Sequence, residues 1–336
     1  MAHVTWLLIG AGDIATRRVG PALITAANSE LLAVCDVSRE RAAALAEQLG
    51  APTVYDSAAT ALADCPADAV YIATPQRTHI ELSLAVLAAG KHLLCEKPLG
   101  LNGAECLRLL AAARQSDRVT SCSNYRRLSE QVKLTEGMLA RAEIGELTGG
   151  WAIYSSPFYN PANATICQAD GLSRIKELGY YLIDIVHNFF GMPCSALAQG
   201  SILHPEVMND VEEIASVILK FPGGQMFTIL FNCTSPGTRH EFELFGTAGR
   251  IYWPAWPPHA NGPVVKITGA GVEEIAAHTD ANWHLPMIED YVDALLTGRP
   301  PVCALESAVK TEIITDAIFR SLASGRVEPV VWEAPS

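Results

Sequence analysis

The sequence predicts an α/β chain: a doubly wound parallel sheet of the Rossmann type, followed by an α+β half built on a large, open-faced, mainly antiparallel sheet. Three observations carry this. Short apolar runs alternate with helical patterns over the first third, long strands follow one another without helices after about residue 125, and a Gly-x-Gly turn directly follows the first apolar run. Continuous apolar strands separated by helices form parallel sheets covered on both faces, and right-handed crossovers wind them doubly.

The elements follow in order. Strands are expected at 4–10, 30–36, 68–75, 92–98 and 119–125, with helices at 14–27, 39–49, 79–89 and 102–116 between them. A helix over 126–142 leads to a strand near 147–155 and a helix over 176–190. Strands at 196–203, 211–221, 225–232, 239–246 and 249–253 come next, with Pro222-Gly223-Gly224 marking a hairpin. Two amphipathic helices, 284–297 and 305–324, close the chain. The expected division is a dinucleotide-binding domain over 1–121 and a substrate-binding and oligomerisation domain over 122–336, with a C-terminal helix packing back on the first.

Composition narrows the classes. A chain of 336 residues exceeds one small core, and 49% hydrophobic against 18% charged residues argues for buried sheets rather than disorder. The formal net charge of -12, with no basic run, excludes nucleic acid and anionic membrane surfaces as partners. No apolar stretch approaches the roughly 20 residues that span a bilayer. Nine dispersed cysteines without a Cys-x-x-Cys pair read as free thiols in a reducing compartment, so no metal site is expected and the location expected is cytoplasmic.

Gly10-Ala11-Gly12-Asp13-Ile14-Ala15 matches Gly-x-Gly-x-x-Ala after an apolar strand and before a helix. Gly10 permits the tight turn, Gly12 lets a pyrophosphate approach the backbone, and Ala15 allows close helix packing. Asp36, at the end of the second strand, is placed to accept hydrogen bonds from an adenosine ribose, which favours NAD. Arg39 keeps NADP open, since it is near enough in sequence to reach a 2′-phosphate.

Further segments extend the pattern. Thr74-Pro75 with His79 four residues on, Glu96-Lys97-Pro98 at the end of a strand, and "NYRR" from Asn124 join the opening turn. Together they resemble the glucose–fructose oxidoreductase / inositol dehydrogenase / MocA-like family over nearly the whole chain. The resemblance implies hydride exchange between nicotinamide and a secondary alcohol or ketone of a sugar, cyclitol or related polyol, in a homodimer or homotetramer. It puts Gly10, Gly12, Asp13, Ile14, Asp36, Arg39, Thr74, Pro75, His79, Glu96, Lys97 and Asn124 at the cofactor, with Lys97 also beside the substrate. The residues agree on the last point, because the carboxyl end of a central strand faces the ligand crevice of such a sheet.

The family's second element, Asp-x-Gly-x-His-x-x-Asp, aligns with a variant that has Glu177 for the Asp, Tyr181 for the His, and Asp184 kept. Glu177, Tyr181, Asp184 and Asn188 share one helix stripe, which the alignment directs at the substrate, beside an apolar stripe of Leu178, Leu182, Ile185 and Phe189. His187, about 240° from Tyr181 round the helix, faces elsewhere and reads as a core or surface histidine. Tyr181 is the expected proton acceptor, with Lys97 the alternative base and otherwise the holder of the substrate oxygen. Glu177 and Asp184 orient hydroxyls or tune Lys97. Aromatic, Pro and Asn residues at 154–163 and 252–263 suit a sugar ring as well as ordinary packing. The altered Glu177/Tyr181 site keeps open redox-neutral chemistry on bound NAD (epimerisation, elimination or glycoside cleavage); a non-catalytic dinucleotide-binding regulator is the other alternative, and retention of Lys97 with its Glu and Pro neighbours argues against it.

Overall fold

The computed structural model describes residues 3–156, 174–177, 179–208, 212–256 and 262–333. Gly171, Leu178, Cys167 and much of the two aromatic loops lie outside them. The chain divides into two compact units, one of residues 1–128 with 280–312, the other of 129–279 with 313–333.

In the first unit six parallel strands stand in the order β3-β2-β1-β4-β5-β6. They are β1 (Val4–Ile9), β2 (Ser29–Cys35), β3 (Thr53–Tyr55), β4 (Ala69–Ile72), β5 (His92–Cys95) and β6 (Thr120–Cys122). Helices α2 (Arg39–Leu49), α3 (Ala58–Asp64), α4 (His79–Ala88) and α5 (Gly103–Arg114) connect them. β1 and β4 are buried along almost their whole length, as the unbroken apolar runs require. β3 and α3 were not expected: a three-residue strand with one exposed and two half-buried residues, and a short Ala-rich helix, carry too little periodicity to stand out.

The helix expected over 14–27 has two parts. Ala15–Val19 is π-helical, with the Gly20 amide donating to Ala15 O five residues back, and α1 runs over Gly20–Thr25. Pro21, in the first turn of α1, has no N–H for the preceding turn, so the wider winding falls just before it.

The second unit holds a nine-stranded sheet, ordered β14-β13-β12-β11-β7-β10-β9-β8-β15. Its strands are β7 (Leu147–Ser155), β8 (Ser195–Ser201), β9 (Ile214–Lys220), β10 (Met226–Asn232), β11 (Arg239–Gly246), β12 (Gly249–Trp253), β13 (Val264–Thr268), β14 (Gly271–Ile275) and β15 (Glu328–Pro329). β7 and β10 run parallel, and every other neighbouring pair is antiparallel. The hairpin at 222–224 forms as expected, with Gly224 at φ +90° and the Phe221 amide donating to Gln225 O at 2.9 Å. β13 and β14 were not expected: β14 is largely exposed and carries consecutive glutamates in place of alternation.

Burial alternates along the strands. Phe227, Ile229 and Phe231 of β10 and Phe242 and Leu244 of β11 face the core, while Met226, Leu230 and Phe245 are exposed. A helix over Gly179–Phe190, α8 (the four-residue helix Arg174–Glu177 being α7), lies on the inner face. Phe189 meets Phe242 and Trp253, and Phe190 stacks on Phe221 at 4.9 Å. A Cβ at Gly179 would come within 2.6 Å of the Phe231 ring, so the absence of a side chain there sets the close approach.

Candidate functional site

Strand register brings the first unit's site together. Ile9 pairs with both Cys35 and Ile72, Ile72 with Cys95, and Cys95 with Cys122. Gly10, Asp36, Ala73 and Glu96 therefore all follow strand ends on one edge of the sheet. Between β1 and β4 the strand order reverses, which is where ligands bind such sheets.

A cavity of about 910 Å³ opens at that point, lined by Gly10, Gly12, Asp13, Ile14, Asp36, Thr74 and Pro75 among others. Gly10 has φ +106°, and a Cβ there would stand 2.4 Å from Ala73 O. At Gly12 a Cβ would meet nothing within 4 Å. The two glycines thus differ in purpose: Gly10 closes the turn and Gly12 leaves space beside the backbone. Asp36 is fixed on three sides. Its Oδ2 accepts from the Ala11 amide at 2.9 Å, and its Oδ1 from the Ser38 amide at 2.8 Å and Arg41 Nη2 at 2.7 Å. Burial by itself would raise its pKa, but these donors overcome that and hold it below the usual carboxylate value. An ionised, oriented carboxylate beside open backbone fits the ribose and pyrophosphate of a dinucleotide.

Arg39 does not occupy the place expected of it. Its Nη1 lies 3.6 Å from Asp56 Oδ2, and it is not among the residues that line the cavity. Arg41 does line it, because position 41 of α2 comes round to face Asp36 while position 39 turns toward β3. Helical phase could have distinguished the two, given the start of α2 at its Ser38 cap.

His79 is buried and bridges two loops, with Nδ1 2.9 Å from Pro98 O and Nε2 2.8 Å from Thr74 O. Burial pushes its pKa down, so it is neutral at pH 7 and donates to one of these carbonyls. Asn124 is buried beyond β6, its amide donating to Cys122 O at 2.6 Å.

Glu96 is buried, while the Lys97 side chain is half-buried. Glu96 Oε1 accepts from Tyr71 OH at 2.7 Å and His284 Nε2 at 3.1 Å, and Oε2 from the Lys97 amide at 3.1 Å. Burial would raise the Glu96 pKa, but donation from His284 and Tyr71 and the charge of Lys97 bring it down to about 2. A carboxyl whose folded pKa lies below its unfolded value stabilises the fold above the unfolded value, near 4.3. That contribution is lost as pH falls toward 2. Glu96→Gln is therefore expected to flatten the acid limb of stability measured by urea unfolding between about pH 4.5 and 2. Its one proton accounts for at most about 1.4 kcal/mol per pH unit there. His284 carried no motif and was not singled out from sequence.

In the second unit Tyr181 and Asp184 lie on α8 and are 8% and 2% exposed, so this face is not a solvated one. Glu177 ends α7, and its side chain lies outside what is described. His187, expected to face away from this stripe, places Nε2 3.4 Å from Asp184 Oδ1. Residues three apart meet on a helix even when a residue six away does not. It is a buried histidine paired with a stripe residue. Asn188 Nδ2 donates to Glu136 Oε1 at 2.7 Å, which ties α8 to α6 (Glu130–Ala140). Among the described residues no His, Cys, Asp and Glu cluster suits a metal ion. Among the described residues eight cysteines are free, all but Cys194 buried, and no helix is long and apolar enough to cross a membrane.

Residues 4–124 match the profile "Oxidoreductase family, NAD-binding Rossmann fold", and residues 133–252 match the "GFO/IDH/MocA C-terminal domain". An uncharacterised oxidoreductase of Rhizobium meliloti is 28% identical over 98% of this chain and 100% of its own. The dTDP-3,4-didehydro-2,6-dideoxy-alpha-D-glucose 3-reductase of Streptomyces antibioticus is 29% identical over 87% of this chain and 88% of its own. An oxidoreductase from Agrobacterium radiobacter, solved with NAD+, L-tartaric acid and magnesium, superposes with a TM-score of 0.87 at 21% identity over 98% of both chains. The chain belongs to the GFO/IDH/MocA oxidoreductase family, as an NAD(P)-dependent dehydrogenase or reductase of CH–OH groups with a Rossmann cofactor domain.

Proposed function

We propose that this protein interconverts a secondary alcohol and a ketone on a sugar, cyclitol or related polyol, with NAD as the preferred cofactor. The observation that carries the reading is the position of Lys97. It follows β5 at the sheet edge where Gly10, Asp36 and Thr74 line the cofactor cavity. Bound NAD would supply the two-electron acceptor, taking hydride at nicotinamide C4. Gly10, Gly12, Asp13, Ile14, Asp36, Thr74 and Pro75 hold the dinucleotide. His79, Glu96 and Asn124 fix the loops around it. Lys97 holds the substrate hydroxyl and stabilises negative charge on its oxygen, Tyr181 accepts the proton, and Glu177 and Asp184 orient neighbouring hydroxyls. The test is a screen of sugars and cyclitols with NAD, followed by nicotinamide absorbance. Stoichiometric NADH supports the reading. Product without net NADH, or tight NAD binding with no turnover of any of them, contradicts it.

The choice of NAD rests on Asp36. Asp36→Ala removes a charged acceptor, a loss of roughly 1.5–3 kcal/mol, so NAD binding should weaken by about 10- to 100-fold in a fluorescence titration. The same change frees Arg41, so NADP should lose much less. Equal losses would remove Asp36 from the selection.

The exposed face of the nine-stranded sheet supports a homodimer or homotetramer. Met226, Leu230 and Phe245 stand on it, with the half-buried Trp151, Ile153 and Tyr252. Such a patch commonly marks a protein interface. Sedimentation should give a multiple of the chain mass, and Leu230→Glu should lower it; a monomer in both would exclude this. The free thiols among the described residues support a cytoplasmic location, and absence of the protein from the cytoplasmic fraction would exclude it.

A further inference from the structure

Glu96 and Lys97 are adjacent in sequence, yet what holds Glu96 comes from three separate parts of the first unit. Tyr71 reaches it from β4, and the Lys97 amide from beyond β5. His284 reaches it from the residue preceding α10 (Leu285–Thr297), 188 positions away in sequence. Other titratable groups near this carboxylate are Cys122 of β6, whose Sγ lies 3.8 Å from Glu96 O, Cys95 at the end of β5, and His79. The Arg126 guanidinium is 5.5 Å from the Tyr125 ring centre.

His284 is held as firmly as it holds. It is 2% exposed, and its ring lies 4.5 Å from that of Tyr125. Its own amide donates to Asn282 Oδ1 at 3.1 Å, and Asn282 Nδ2 donates to Arg18 O at 2.8 Å. Arg18 in turn donates to Ala281 O at 2.9 Å and stacks over Trp283 at 5.0 Å. The segment 281–284 is thereby fastened to the helix that follows the dinucleotide turn. Nδ1 of His284 has no hydrogen-bond partner, so the tautomer with its proton on Nε2 leaves no buried N–H unsatisfied. That proton points at Glu96.

We propose that His284 is a positioning residue for Lys97: by donating to Glu96 Oε1 it keeps a fixed carboxylate against the Lys97 backbone amide, which orients the lysine. The proposal rests on the reading of Lys97 as the residue that holds substrate. A buried carboxylate stripped of a donor tends to turn toward another one, and the backbone amide it holds moves with it. The Lys97 side chain is then less well placed.

The test measures Lys97 in cofactor-free protein, by trace acetylation with acetic anhydride and mass spectrometry of the Lys97 peptide against those of the other lysines. In His284→Phe, which keeps a flat ring against Tyr125, the acetylation of Lys97 relative to the other lysines should depart from the parental value. Turnover should fall roughly 10- to 100-fold, the usual scale for an orienting partner, with NAD affinity little changed. His284→Gln keeps an N–H at similar reach and should restore most of both. If His284→Phe yields no folded protein, Tyr71→Phe deletes the other side-chain donor to the same oxygen, and altered Lys97 acetylation is again the expected result. A parental Lys97 profile in the folded variant overturns the proposal. Full turnover in Lys97→Ala would instead sink the underlying reading, whatever the acetylation shows.

Discussion

Lys97→Ala should lower turnover by about 10²-fold or more, the scale of a positioned acid–base or charge-stabilising group, while NAD still binds. The dissociation is expected because the residues that line the cavity (Gly10, Gly12, Asp36, Thr74) hold the dinucleotide without the lysine side chain. Tyr181→Phe should behave likewise, with a loss of similar size confined to turnover. Its hydroxyl is the only atom removed, and the packing of α8 through Phe189 and Phe190 is untouched. The pH profile separates the two roles. If Tyr181 accepts the proton, the acidic limb of the alcohol-oxidation rate disappears in Tyr181→Phe and persists, at lower rate, in a Lys97→Arg protein that keeps the charge. If the limb persists in Tyr181→Phe, Lys97 is the base.

Gly10→Ala and Gly12→Val should fail in opposite ways. At Gly10 the backbone lies at φ +106°, and the new Cβ would press within 2.4 Å of Ala73 O, a backbone atom between β4 and α4 that cannot swing aside. Strain at such a φ costs roughly 1–3 kcal/mol, and overpacking roughly as much again. That is a large part of the ~5–15 kcal/mol by which domains are stable. Thermal unfolding should therefore move down by many degrees. At Gly12 a new Cβ would meet nothing within 4 Å and the position is exposed, so stability in Gly12→Val should stay within about 0.5 kcal/mol. Its side chain instead enters the space a pyrophosphate needs, and NAD affinity should drop roughly 100-fold, or about 2.7 kcal/mol. A Gly12→Val protein that binds NAD normally would place the pyrophosphate elsewhere.

What could be read before the structure follows from how local each signal is. β1, β2, β4 and β5 are continuous apolar runs and the hairpin at 222–224 is a short-range device, so both were legible. The dinucleotide turn was legible for the same reason: Gly10, Gly12 and Ala15 carry their geometry within six residues. β3, β13 and β14 were not, because short or exposed strands owe their existence to neighbours that offer a ladder edge. The parallel pairing of β7 with β10 depends on long connections and has no local mark.

At the site, the error between Arg39 and Arg41 is one of helical phase. Sequence distance from Asp36 favoured the nearer arginine, whereas the rotation of about 200° between positions 39 and 41 of α2 decides which guanidinium meets the carboxylate. His187 was set aside because it faces away from Tyr181, although its contact with Asp184 follows from spacing three. Nothing local marked His284 as a site residue. Its importance arises from a meeting with Glu96 across 188 positions, which only the folded first unit reveals.

Deuterium transfer tests the central claim most directly. A sugar or cyclitol found to be turned over is prepared with deuterium at the carbinol carbon, and the cofactor recovered after reaction is analysed by mass spectrometry. One deuterium on the reduced cofactor for each ketone formed is the expected result. Product that keeps its deuterium while the cofactor stays unlabelled would contradict hydride transfer as the reaction of this protein.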